Sequence, residues 1–267
     1  MIVDCHVHLS FLHHEGLDFF QIRDSLLASM RKHGIGLSLI LADSEPDTGV
    51  SDLDETLRAV KGYSNLRALG SASPPSLDKG IIERLDNLAS SGEIMGLKLY
   101  PGFELFYPSE ERCRPLYEIC LGHDMPVLFH SGETMNEKWR EKYNHPNEFA
   151  KLALMFPKLK IIVAHFSLPS VTECRDIVVK YPNIHADISG LAYDEVVEEL
   201  GADFIRNLLN EVASAQPEKV LYGTDWPICD PQKHLDLVES LKIPDSSKEL
   251  LLSQNAERLF PIDRAVE

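Results

Sequence analysis

The chain has 267 residues, 44% hydrophobic and 25% charged, and its 42 acidic and 26 basic side chains give a formal charge of −16. This composition is typical of globular proteins and excludes disordered and fibrous architectures, while the negative balance argues against binding to nucleic-acid phosphates. No apolar run approaches the ~20 residues of a membrane span, and the N-terminus MIVDCHVHL does not resemble a signal peptide. Five cysteines without a CxxC pair indicate reduced thiols, so we expect a cytoplasmic protein.

Short apolar segments alternate with longer amphipathic segments along the whole chain. The short segments are rich in Val, Ile and Leu without strict alternation, which is typical of strands covered on both faces. The predicted strands are residues 1–5, 37–42, 66–72, 95–100, 126–129, 160–164, 183–188 and 219–222. Eight strands leave about 33 residues for each unit, close to the ~30 residues of a βα unit. We therefore predict an α/β fold in one domain over residues 1–267, a single (β/α)8 TIM barrel.

Other features of the chain refine this architecture. An open doubly wound sheet is the alternative, but no glycine-rich GxGxxG turn follows the first predicted strand. Ser170 with Glu173 and Ser246 with Glu249 fit the capping-box pattern of a helix start. We expect the final helix, around residues 247–260, to pack on the barrel exterior.

Side chains that can bind a metal or transfer a proton occur at the ends of the predicted strands. They are His6 and His8 after the first strand, Lys98 late in the fourth, His130 after the fifth, His165 after the sixth and Asp225 after the eighth. The active sites of these barrels assemble at the C-terminal ends of the strands. We therefore predict a metal site at that end.

The His6-x-His8 spacing is typical of a metal site on a strand. Residues two apart point to the same side of a strand, and two converging imidazoles suit a divalent cation, Zn²⁺ above all. Closure of the barrel brings Asp225 beside this pair, and His130 can supply a ligand from across the lumen. Three histidines and a carboxylate leave a position for water around one ion, with a second ion left open. His185 and Asp187 share one face of strand seven and line the lumen, without a predicted role as ligands.

The motifs that contain these residues resemble, in chain order, the conserved blocks of the amidohydrolase superfamily. They are DCHVHL, GLKLYP, PVLFHSG, FPKLKIIVAHFS, NIHADISG and VLYGTDWP. The similarity points to the amidohydrolase-related (amidohydrolase 2) family, which includes aminocarboxymuconate-semialdehyde decarboxylase and 2-pyrone-4,6-dicarboxylate lactonase. The resemblance implies that the metal ligands are His6, His8, His130 and Asp225. It implies that His165 is a catalytic histidine or a ligand to a second metal.

The resemblance leaves the role of Lys98 open. The corresponding lysine is carbamylated and bridges two metals in some members of the superfamily, and is a free amine in others. Tyr100 and Glu104 depart from the family pattern, in which histidine and glutamine are frequent at these positions. Both departures bear on substrate contacts, and an approach of Glu104 to the metal is left open.

These residues predict a metal-dependent hydrolase that cleaves an amide, lactone or ester bond of a small, carboxylated substrate through a metal-activated water. Asp225 would act as general base, and His165 would polarise the carbonyl or stabilise the developing oxyanion. Lys98 would bind a substrate carboxylate or neutralise charge in the transition state. The alternative is a metal-dependent non-oxidative decarboxylase of an unsaturated or aromatic acid. A TatD-like nuclease is disfavoured by Lys98 in place of a glutamate and by the net charge, and a non-catalytic scaffold by the complete ligand set.

The longest predicted βα connection, residues 133–147, carries two basic and two aromatic side chains. They are Trp139, Arg140, Lys142 and Tyr143. Such a loop is either a lid that meets an acidic substrate or a solvated surface loop. The expected partner is a small-molecule substrate, with no nucleic acid and no membrane, and a homodimer is left open.

Overall fold

The structure is a computed structural model of the chain and describes residues 1–45, 47–134 and 137–262. It contains one eight-stranded sheet in which each strand pairs in parallel with the next in sequence. The strands are β1 (Ile2–Val7), β2 (Ile35–Leu41), β3 (Leu66–Ser71), β4 (Ile94–Leu99), β5 (Pro126–Phe129), β6 (Lys160–Val163), β7 (Ile184–Asp187) and β8 (Val220–Leu221). All eight predicted strands are present, with ends within two residues of their predicted positions.

Helices follow the strands and cover the outside of the sheet. They are α1 (Phe19–His33), α2 (Leu53–Val60), α3 (Lys79–Ser91), α4 (Arg114–Gly122), α5 (Pro146–Met155), α6 (Val171–Lys180), α7 (Asp194–Leu200), α8 (Ala202–Ala215), α9 (Pro231–Glu239), α10 (Asp245–Glu249) and α11 (Asn255–Leu259). Within the described ranges, no helix combines the length and the apolar character needed to cross a bilayer.

Backbone hydrogen bonds between the first and last strands close the sheet into a barrel. The amide of Asp225 donates to the carbonyl of His6 at 2.9 Å, and the amide of His8 donates to the carbonyl of Trp226 at 2.8 Å. The predicted TIM barrel is therefore confirmed and the open-sheet alternative is excluded. The same bonds hold Asp225 directly beside the HxH pair.

Two β-bulges occur where the inner faces of the strands become polar. An extra residue is present in β1 within residues 4–7, relative to β2, and another in β4 within residues 94–97, relative to β3. A bulge re-aims the side chains that follow it. Thus Cys5 and Met95 pack in the apolar lumen, while His6 and Lys98 meet above them with His6 Nε2 and Lys98 Nζ 3.4 Å apart.

The final helix closes the N-terminal end of the barrel. The cluster of inward-facing strand side chains, such as Leu37, also contains Ala256 and Leu259 of α11 and the residues Phe260 and Ile262 that follow it. Lys160, the first residue of β6, donates to the carbonyl of Leu259 at 3.2 Å. The expectation that residues 247–260 pack on the exterior is wrong for the end of this segment, whose apolar side chains fill the open end of the lumen, whereas Leu251 packs in a different core cluster.

Two carboxylates cap helices that the serine patterns did not identify. Ser170 precedes α6 but its ψ of 41° is outside the extended region that a capping residue needs, and Ser246 lies inside α10. Neither forms the predicted capping box. Complete capping boxes occur instead at Asp18, before α1, and Asp52, before α2.

Candidate metal centre and active site

His6, His8 and Asp225 form a polar cluster at the C-terminal end of the lumen. Oδ1 of Asp225 lies 3.5 Å from Nε2 of His6 and 3.6 Å from Nε2 of His8. The potential ligand atoms of the three residues all lie within 4.8 Å of one another. These atoms converge on one point, and modest side-chain movement would bring them to the ~2.0–2.2 Å distances of zinc ligands.

Asp187, at the end of β7, fixes the orientation of His6. The fully buried carboxylate accepts a hydrogen bond through Oδ2 from Nδ1 of His6 at 2.9 Å. Because Nδ1 carries the proton, Nε2 of His6 keeps its lone pair on the side of Asp225. Sequence reasoning placed Asp187 in the lumen but missed this role.

His165 is held in a strained turn beside the same carboxylate. It has φ 56° and ψ 20°, and the next two residues are also left-handed, a conformation that is uncommon outside glycine. The amide of His165 donates to Oδ1 of Asp187 at 3.0 Å, and its ring centroid lies 4.7 Å from that of His6. The strain concentrates at a residue that was predicted to be functional.

Ser189 determines which nitrogen of His165 is protonated. Its hydroxyl donates to Asp187, so its oxygen accepts from Nδ1 of His165 at 2.8 Å. Nε2 of His165 is then left with a lone pair. This arrangement favours His165 as a base or a metal ligand over the predicted polariser of a carbonyl, which would need a proton on Nε2.

His130 lies at the edge of the cluster. Its ring centroid is 5.3 Å from that of His165, and Nε2 donates to the carbonyl of Glu133 at 3.0 Å. Among the described residues, two groups of convergent ligand atoms occur, and neither includes His130. Nδ1 is the atom that remains for an ion, and the role of His130 as a ligand stays a prediction.

The second group of convergent atoms belongs to His6, His165 and Asp187. Here the proton on Nδ1 of His6 already satisfies Asp187 at 2.9 Å. In this arrangement Asp187 serves as the hydrogen-bond partner of His6, on the side of the ring opposite to Asp225.

Lys98 is a buried amine that borders the cluster. In addition to its contact with His6, Nζ lies 5.0 Å from the centroid of the Tyr100 ring. Burial lowers the pKa of Lys98 to about 8, although the charges of Asp187 and Asp225 raise it. An amine with this pKa can lose its proton close to neutral pH.

The ionisation states of the cluster fit a divalent cation. Desolvation lowers the pKa of each of the four histidines, to about 3 for His8 and His130 and well below its usual range for His6 and His165. Neutral imidazoles offer the lone pair that a metal needs. Desolvation raises the pKa of Asp225 to about 7, and a nearby cation would favour its charged form. The donor set therefore suits Zn²⁺ or a related ion.

Of the two departures from the family pattern, Tyr100 borders this cluster through Lys98 and Glu104 lies apart from it. The hydroxyl of Tyr100 donates to the carbonyl of Ala42 at 2.9 Å, and Oε1 of Glu104 accepts from Ser44 at 2.6 Å. Glu104 lines a separate cleft of about 470 Å³ and belongs to neither group of convergent ligand atoms in the described residues. Burial raises the pKa of Glu104 to about 7.

A cavity of about 200 Å³ opens onto the cluster. Its inner end is lined by His130, His165 and Asp225. The basic and aromatic side chains of the predicted lid are absent from its described lining, and Lys142 lines a different surface cavity. In the described residues the loop contains a 3₁₀ helix, Lys138–Tyr143, and of its side chains only that of Glu133, its first residue, lines the cavity.

Several solved structures have the same fold as this chain. An uncharacterised TIM-barrel protein from Bordetella bronchiseptica is 19% identical, with a TM-score of 0.77 and 97% of each chain covered. A probable 2-pyrone-4,6-dicarboxylic acid hydrolase from Acinetobacter baumannii, with citric acid bound, is 15% identical, with a TM-score of 0.67 and coverage of 97% and 98%. A dihydroxybenzoic acid decarboxylase from Polaromonas, with manganese and 2-nitroresorcinol bound, is 13% identical, with a TM-score of 0.67 and coverage of 99% and 98%.

Sequence comparison gives the family. The search of curated proteins found no match to this chain. The model of the amidohydrolase family (Amidohydro_2) matches residues 3–262, which include every predicted site residue. The chain therefore belongs to the amidohydrolase family, an enzyme family, as its sequence motifs had indicated.

Proposed function

We propose that this protein is a metal-dependent hydrolase of an amide, lactone or ester bond in a small, carboxylated substrate. The observation that carries the proposal is the convergence of His6, His8 and Asp225, of which Asp225 lines a cavity. We propose His6, His8 and Asp225 as ligands of one Zn²⁺ ion, with His130 as a further ligand. When bound there, such an ion supplies a Lewis acid and lowers the pKa of water.

Asp225 is the proposed general base. Its carboxylate is nine-tenths buried, lines the cavity and accepts no hydrogen bond from the described residues. A carboxylate in this position can accept a proton from an attacking water and return it to the leaving group. Burial raises the pKa of this carboxylate and a bound cation would lower it again, which keeps the charged form available as a base.

His165 and Lys98 provide the remaining polar groups. Nε2 of His165 keeps a lone pair because Nδ1 donates to Ser189, so we assign it a role in accepting a proton or holding the metal. Lys98 is a buried cation next to the ligands, and a charge-assisted hydrogen bond from its ammonium can hold a substrate carboxylate or a developing oxyanion.

A decarboxylase is the second candidate function. The cavity has an apolar wall that suits an aromatic ring, and the raised pKa of Asp225 makes its proton available near neutral pH. In that reaction Asp225 would give a proton to the ring carbon that bears the carboxylate, and the electrons of the broken C–C bond would return to the ring and restore its aromaticity as CO₂ leaves. The dihydroxybenzoic acid decarboxylase among the structural neighbours supports this alternative.

The substitution Asp225→Asn tests the proposal. We expect turnover of a responsive lactone, ester or aromatic acid to fall by about 10²–10⁴-fold, because the amide cannot accept a proton. The assay titrates new carboxylate and traps CO₂, which separates the two reactions, and metal analysis shows whether the ion is still bound. Asp203→Asn, at a side chain that is 91% exposed, is the matched control. Nearly full activity of the Asp225 variant would contradict the assignment.

A further inference from the structure

We infer that the cavity selects substrates with a single acidic end, and that Glu133 and Glu199 favour a cationic group at the distal end and oppose a second carboxylate. This inference rests on the proposed function, because it assumes that the reacting end of the substrate lies beside Asp225. The inference concerns the end of the substrate that is opposite to the reacting end.

The inner end of the cavity is where the reacting atoms would lie. Asp225 is 9% exposed and directs a carboxylate without a hydrogen bond into the cavity, next to His165. Lys98, a buried cation that does not itself line the described part of the cavity, contacts His6 next to Asp225. A substrate carboxylate or carbonyl therefore finds its positive partners at this end.

The middle of the cavity is apolar and small. Leu168, Val196, Leu200 and Ile228 contribute to its wall. Its volume of about 200 Å³ is below the ~300 Å³ at the lower end of pockets for drug-sized ligands. These dimensions suit a compact hydrocarbon or aromatic body rather than an extended chain.

Two carboxylates lie at the outer part of the cavity. Glu133 and Glu199 are exposed, and neither forms an ion pair with another described residue. Among the described residues that line the cavity there is no Lys or Arg. Glu133 is fixed to the site, since its amide donates to Leu168 at 3.0 Å and its carbonyl accepts from His130 at 3.0 Å.

These charges give the cavity a polarity along its length. A ligand that places one carboxylate near Lys98 and a second near Glu133 and Glu199 meets like charges at the outer part of the cavity, which is unfavourable at low ionic strength. A protonated amine in the same place meets opposite charges. The expected order of affinity is therefore cationic, then uncharged, then anionic at the distal end.

Three benzoates that differ only at the para position test this order. They are 4-(aminomethyl)benzoate, 4-methylbenzoate and terephthalate, whose binding to the Zn²⁺-loaded protein is measured by calorimetry at low salt. We expect the aminomethyl compound to bind about tenfold more tightly than terephthalate. In the double variant Glu133→Gln/Glu199→Gln this ratio should fall to about twofold, and Glu198→Gln, an exposed neighbour outside the cavity, should leave it unchanged.

The outcomes distinguish this inference from the proposed function. Equal affinities, or tighter binding of terephthalate, would overturn the inference while Zn²⁺ binding and the Asp225→Asn result remain intact. Failure of all three benzoates to bind a protein that still takes up Zn²⁺ would also overturn it. Failure to bind Zn²⁺ would remove the proposed function, and the inference with it.

Discussion

The two ends of the barrel lumen contain opposite kinds of side chain. The N-terminal end is filled by apolar side chains such as Leu37 and is closed by Phe260, whereas the C-terminal end buries His6, Lys98 and Asp187. Burial of a large apolar side chain contributes about 1.5–3 kcal/mol, but burial of an ionisable group costs free energy unless it is paired. The barrel is thus stabilised at one end and carries destabilising groups at the other, as expected where function requires them.

Phe260→Ala gives the largest expected effect and tests the stabilising end. The side chain is 2% exposed, so its loss should lower the free energy of unfolding by about 3–5 kcal/mol through lost burial and a cavity. Urea denaturation measures the change, and Phe204→Ala, 43% exposed, is the control. Zn²⁺ affinity of the folded variant should be unchanged. A stability loss below about 1 kcal/mol would show that the terminal helix does not close the lumen.

Asp187→Asn tests the polar end. The amide cannot hold the proton on Nδ1 of His6 as a carboxylate does, so we expect Zn²⁺ affinity to fall by about 10–100-fold. Competition with a chelating dye measures the affinity, and Asp203→Asn serves again as the control. If affinity stayed within about twofold of the original, Asp187 would have no role in orienting a ligand.

Glu104→Gln tests whether the polar end costs stability, with a smaller expected effect. The pKa is about 7 in the folded protein and 4.5 in an ordinary glutamate, so the folded state binds more protons between these values. The contribution of Glu104 to the free energy of unfolding is therefore fully present below pH 4.5 and is lost as the pH rises through 7.

The glutamine variant removes that loss. We expect it to be more stable than the original by about 1–2 kcal/mol at pH 8 and nearly equal to it at pH 5, as measured by urea midpoints at both values. Glu83→Gln, at a side chain that is 61% exposed, should show no such difference. A variant that loses stability at pH 8 would show that the charged carboxylate is compensated in the cleft.

Local patterns in the sequence were sufficient for the barrel and for part of the site. Apolar segments marked each strand, and the HxH spacing together with barrel closure placed His6 and His8 beside Asp225. These inferences need only two facts: side chains two residues apart point to the same side of a strand, and the first and last strands are neighbours in a closed barrel. The family resemblance through the strand-end motifs was confirmed over residues 3–262.

Features that depend on long-range contacts could not be predicted. The bond between His6 and Asp187 joins residues 181 apart, and the bulges in β1 and β4 are defined only relative to their partner strands. The position of the final helix could not be predicted for the same reason. An amphipathic pattern shows that one face of a helix is buried, but it does not show which part of the protein covers that face. The proton on His165 depends on Ser189, whose hydroxyl had no distinguishing sequence signal.

The central claim is that His6, His8 and Asp225 hold a divalent cation at the end of the lumen. A crystal of the purified protein, with diffraction data collected on both sides of the zinc edge, tests it most directly. We predict one anomalous peak within about 2.0–2.2 Å of Nε2 of His6, Nε2 of His8 and a carboxylate oxygen of Asp225. A map of Zn²⁺-soaked crystals with no peak there, while the three side chains keep the positions described, would contradict the account.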